Sequence, residues 1–115
     1  NMAVYKNIVT DADDTVTTLI TRGASTSGDI NKISISNVDT KDALSVSVFI
    51  EDATVNAATN AGNNKFYFIQ GVTIPAFTTL ILDDNVSFNK NIYNLRILTN
   101  QDVDNGPANI SIIIK

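Results

Sequence analysis

The chain contains no cysteine, no histidine and no tryptophan. Without cysteine there is no disulfide, no thiol nucleophile and no thiolate metal site. Without histidine, the side chain that most often moves protons near neutral pH is missing. A serine nucleophile would lack its usual imidazole base, and zinc would lack its ordinary ligands. Charge is sparse as well, at 17% of residues, and the eight Lys and Arg are scattered along the chain. A net charge of −4 argues against nucleic acid or an anionic membrane as partner, because both bind clustered Lys and Arg. No apolar run approaches the length of a membrane span. The opening residues lack the layout of a signal peptide, and Met2, behind Asn1, reads as the natural start.

What remains is apolar and neutral-polar. Hydrophobic residues make up 43% of the chain, and Glu51 is the only glutamate among twelve acids. Asp, Asn and Thr favour turns and strands, whereas Glu, Lys and Ala favour helices. Short apolar runs recur with turn signals between them, as in a sandwich or barrel. Strands are expected at residues 3–10, 15–21, 30–38, 44–51, 66–74, 78–82, 86–88, 93–97 and 110–115, with a bend or bulge at Gln70-Gly71. The clearest alternation places Leu44, Val46, Val48 and Ile50 on one side and Ser45, Ser47 and Glu51 on the other, so one face is buried and one is wet. The strands at 30–38 and 44–51 read as a hairpin. A helical turn is allowed at 56–59. The expected fold is one all-β domain over residues 2–115, an antiparallel β-sandwich of about eight strands. Its order could be jelly-roll or immunoglobulin-like, because strand order is not written in local pattern.

Only carboxylate pairs are left for chemistry. Asp11 with Asp13 and Asp14, Glu51 with Asp52, Asp83 with Asp84, and Asp102 with Asp104 all fall where turns are expected, and Asp serves turns by bonding nearby amides. Two carboxylates facing across a cleft could hydrolyse a glycoside. Calcium fits the same residues better, since it takes carboxylate and carbonyl oxygens in flexible geometry. Asp102, Asp104 and Asn105 form the candidate metal set. They depart from an EF-hand loop because Gly106 arrives one residue early and no glutamate closes the loop.

Three residues are candidate interface anchors. Phe49 falls on the polar face of its strand, which makes it a candidate exposed aromatic and interface anchor, with burial by a neighbouring loop or a second sheet as the equal alternative. Tyr5 and Ile113 belong to the terminal strands, whose apolar runs invite pairing with a partner if left bare. Phe66 and Phe68 alternate with Tyr67, so their rings are expected to face the core.

The stretch Val72-Thr73-Ile74-Pro75-Ala76-Phe77-Thr78-Thr79-Leu80-Ile81-Leu82-Asp83-Asp84 resembles the "IPAGTTLVLDD" signature of small structural proteins in tailed bacteriophages, marine cyanophages in particular. Met2-Ala3-Val4-Tyr5-Lys6, the "ISISN" at residues 33–37 and Phe66-Tyr67-Phe68-Ile69 are similar to the same family. Phe77 stands where the signature has glycine. The resemblance implies a β-sandwich virion component, either capsid decoration or a head- or tail-associated subunit. Such proteins assemble as homo-oligomers and bind other virion proteins, with no catalytic residue and no cofactor. The competing expectation is a carbohydrate-binding module, with calcium held in an Asp-rich loop.

Overall fold

The β-branched and alternating runs form strands, and turn residues separate them. The structure is a computed structural model that describes residues 3–23, 29–39, 41–54, 64–83, 86–101 and 107–115. Eight strands appear there: β1 (Val4–Thr10), β2 (Asp14–Ile20), β3 (Ile33–Asn37), β4 (Leu44–Asp52), β5 (Lys65–Ile74), β6 (Thr78–Leu82), β7 (Tyr93–Asn100) and β8 (Ala108–Ile114). Among the described residues there is no helix. The possible helical turn at 56–59 lies outside them.

The strands make two antiparallel sheets of four. The front sheet has the order β1-β8-β3-β6, and the back sheet β2-β7-β4-β5. The chain therefore pairs from its ends inward: β1 with β8, β2 with β7, β3 with β6, β4 with β5. It is one long hairpin rolled across two layers, which is jelly-roll order.

The expected hairpin of the third and fourth strands is corrected by this order. β3 lies in the front sheet and β4 in the back sheet, so the connection between them crosses the sandwich. Alternation told which face of each strand was apolar, but not which strand lay beside it. The segment at 86–88 is also not a strand. Val86 is buried and donates its N–H to the Ile30 carbonyl at 3.1 Å, which ties it to the core singly rather than in a ladder.

The core is the apolar half of each strand. Ile33 and Ile35 of β3 meet Ile110, Ile112 and Ile114 of β8 within the front sheet. The back sheet answers with Leu44, Val46 and Val48 of β4 and Leu95 and Ile97 of β7. All of these are almost fully buried. Branched side chains suit this role, because they lose little rotamer freedom on a pleated surface.

The bend expected at Gln70-Gly71 is a β-bulge. Val46 pairs with Val72 but Val48 pairs with Ile69, so β5 carries extra residues there. Gly71 sits at φ 65°, a region glycine enters at no steric cost. The Ser47 hydroxyl accepts the Gly71 N–H at 2.9 Å, which explains why this outward-facing serine is buried.

Candidate functional site

The two outer faces of the sandwich differ in chemistry. On the front sheet the register lines up Tyr5, Ile113, Ser34 and Ile81 as one row across all four strands. The next outward row is Asn7, Ser111, Ser36 and Thr79. Beyond it Val9 lies opposite Asn109, whose carbonyl accepts the Val38 N–H at 3.0 Å. None of these residues is Asp, Glu, Lys or Arg.

The large side chains on this face are open to solvent: Tyr5 at 69%, Val9 58%, Ile81 47%, Val38 40% and Ile113 36%. The polar row between them partly satisfies itself. The Asn7 amide donates to Asn109 Oδ1 at 3.0 Å and to the Ile110 carbonyl at 3.2 Å. The Ser36 and Thr79 hydroxyls bond each other at 2.8 Å. A shallow cavity of about 410 Å³ runs between β1 and β8, bordered by Tyr5, Lys6, Asn7, Ser111, Ile112 and Ile113. Tyr5 and Ile113, expected as anchors on separate terminal strands, are directly opposite each other.

The back sheet's outer face is built the other way. Arg96 Nη1 reaches Glu51 Oε1 at 2.7 Å, and Arg96 Nε donates to Thr18 Oγ1 at 3.1 Å. Phe49 lies on this face, as its strand parity requires, but it is not exposed. It is 2% accessible. The register puts Tyr67 on one side of it and Arg96 on the other. The Tyr67 ring packs at 5.1 Å between centroids, and Lys65 Nζ lies 5.5 Å over the Phe49 ring. The expectation of an exposed anchor at Phe49 is thus overturned by its own cross-strand neighbours.

Phe66 is a second correction. It is 55% exposed rather than in the core. It lies near the start of an edge strand and packs edge-on against Tyr93, with centroids 6.0 Å apart. Phe68, by contrast, is partly buried against the core.

Asp39 and Asp52 bond groups two residues on in their own turns. Asp39 Oδ1 accepts the Lys41 N–H at 2.9 Å, and Asp52 Oδ1 accepts both the N–H and the hydroxyl of Thr54. These hydrogen bonds, the hydroxyl first, hold the Asp52 carboxyl below its ordinary value. Asp14 accepts a bond from the Asn100 amide. Among the described residues no group of three or more acidic, His or Cys side chains could hold a metal ion. The candidate calcium set, Asp102, Asp104 and Asn105, lies outside the described residues.

Sequence reasoning missed Val9, Val38, Ile81 and Phe77 as exposed side chains. Phe77 is 73% exposed and has φ 61°. The signal for it was in the turn Pro75-Ala76-Phe77-Thr78, closed by a Thr78 N–H to Pro75 carbonyl bond of 3.2 Å. A positive φ at the third turn position calls for glycine, the residue the resembling signature has there.

Compared with known proteins, the chain matches no family model, no curated protein and no solved structure.

Proposed function

We propose that this protein is a non-enzymatic assembly subunit of a bacteriophage virion that docks on another protein of the particle through the outer face of its front sheet. The observation that carries the reading is the pair of outward rows that hold no charge, flanked by Lys6 on the β1 edge and by Lys32 and Lys115 at one end. Tyr5, Val9, Val38, Ile81 and Ile113 are open to solvent there. The cores of protein interfaces are depleted in charge and enriched in aromatic residues. Exposed apolar side chains gathered on one face and set among polar neighbours are the make-up of a docking surface. The back sheet's outer face, with its Arg96–Glu51 pair and Lys65, is the contrasting solvated side.

The virion setting comes from the resemblance at residues 72–84. The jelly-roll order is compatible with it, though jelly rolls also occur in lectins, so the fold does not decide the function. Part of the polar row on the face is bonded internally, Asn7 to Asn109 and Ser36 to Thr79, and this supports protein docking over a sugar site.

The test is site-directed photocrosslinking. A crosslinking side chain at position 113 should capture a neighbouring virion protein in assembled particles, and one at position 65 on the opposite face should not. Capture from position 65 alone, or from neither, would remove the front face from the account.

A further inference from the structure

The four edge strands are not equally guarded. β1 carries Lys6, whose parity is inward yet which is exposed. β2 breaks register between Thr18 and Ile20, and β5 has two register breaks. Charges pointing inward and bulges are the usual protections of an edge. β6, Thr78-Thr79-Leu80-Ile81-Leu82, has no charge, glycine, proline or bulge. Among the described residues it pairs with β3 alone.

Its free backbone groups can be placed. Lys32 and Lys115 exchange N–H to carbonyl bonds at 3.1 and 2.9 Å, so Lys32 faces β8. Antiparallel bonding alternates along a strand. The backbone groups of Ser34 and Ser36 therefore also face β8, and those of Ile33, Ile35 and Asn37 face β6, opposite Leu82, Leu80 and Thr78. The N–H and carbonyl groups of Thr79 and Ile81 are left pointing along the open edge.

We infer that β6 pairs antiparallel with β6 of a second copy of this chain, about a two-fold axis at Leu80. In that register Thr79 lies opposite Ile81 of the other copy, and both pairs exchange two backbone bonds. Free backbone donors and acceptors at strand spacing call for an extended polypeptide, and this uncharged strand complements itself without opposing like charges.

The same register gives Phe77 a seat. Continued past the strand end, it sets Phe77 of one copy opposite Asp83 of the other. Asp83, with Phe68, Ile81, Leu82 and Val86, borders a cavity of about 290 Å³ beside β6. Phe77 holds a left-handed backbone that costs a bulky residue energy, and its ring covers no core. Strain that serves no packing within the chain is often kept for a binding contact. The inference shares Ile81 with the front-face reading but rests on backbone groups of one edge and on one turn.

The test is solution mass by light scattering across a concentration series up to high micromolar. The parent should shift from monomer to dimer. Phe77→Gly should weaken the dimer by about tenfold or more, as loss of an aromatic anchor does, while the monomer melts no lower. Ile81→Pro removes an outward N–H that β3 does not use, so it should also abolish dimerisation with the fold intact. A parent that stays monomeric, or a dimer indifferent to both substitutions, overturns the inference. Crosslinking from position 113 should be unaffected by Phe77→Gly, which leaves the Tyr5, Ile113 and Ile81 row intact, so failure of one reading is told from failure of the other.

Discussion

Asn37 Nδ2 donates to the Ile74 carbonyl at 3.0 Å and so ties the end of β3 in the front sheet to the end of β5 in the back sheet. The same amide donates to the Asp42 carbonyl at 2.9 Å, and Asn37 Oδ1 accepts the Asp39 N–H at 3.1 Å. The residue is 1% exposed, so its polar atoms have left water. This one side chain fixes the crossing that separates β3 from β4. Asn37→Leu keeps the branched shape but leaves backbone groups unpaired, at roughly 1–3 kcal/mol for each one buried. Urea unfolding should show a loss of at least about 2 kcal/mol with an unchanged m-value. A loss under about 0.5 kcal/mol, the range of ordinary surface changes, would mean that the crossing does not depend on it.

Phe49 is a core residue on the outside of a sheet. Tyr67, Lys65 and Arg96 make a second small apolar layer over it. Phe49→Ala should cost about 3 kcal/mol, as large-to-small changes at buried aromatics do. Tyr67→Ala should cost less, because the tyrosine is 43% exposed and what it loses is mainly the ring pair, about 0.5–1.5 kcal/mol. Neither change should alter capture from position 113. Equal small losses for both would show that the layer is loosely packed.

How far the fold and site could be read in advance follows from the range of each signal. β6 and the alternation in β4 were legible because period two is local: Leu44, Val46, Val48 and Ile50 of β4 and Leu80 and Leu82 of β6 are buried or half-buried. The β3–β4 hairpin failed because pairing partners sit far apart in a jelly roll: β1 bonds β8 across the whole chain. Phe49 failed for a related reason. Its parity was right, but burial came from Tyr67 on β5, whose register is shifted twice, and only the shift at Gln70-Gly71 was marked in the sequence. Tyr5 and Ile113 were legible as apolar residues of terminal strands. That they form one row with Ile81 needed the strand order.

Phe77 offers a clean separation of strain from side-chain contact. An L-residue in the left-handed region costs roughly 1–2 kcal/mol. Glycine gives back part of that through its greater unfolded entropy, about 0.5–1 kcal/mol. Phe77→Gly should therefore stabilise the monomer by roughly 0.5–1 kcal/mol. Phe77→Ala keeps the strained φ and removes a ring that covers no core, so it should change monomer stability by less than about 0.5 kcal/mol. Thermal unfolding at low protein concentration reads both. A destabilised glycine variant would mean that the ring supports the turn itself.

Asp52 gives the fold an acid-sensitive corner. Thr54 donates its hydroxyl at 2.6 Å and its N–H at 2.8 Å to the same Asp52 oxygen, and the Arg22 charge adds a smaller pull. These contacts favour the carboxylate and hold its pKa below the ordinary 3.8. The unfolded chain then binds this proton at a higher pH than the native one does. The stabilisation is complete above 3.8 and is lost as pH falls through the lowered native value. Thr54→Ala removes the hydroxyl and leaves the N–H, so the native pKa of Asp52 should rise part of the way back. Carboxyl NMR titration measures that rise directly. In thermal melts, the gap between the parent and Thr54→Ala should be constant at neutral pH and close in strong acid. A gap that stays open well below the native pKa would place the role of Thr54 in the turn backbone rather than in the charge of Asp52.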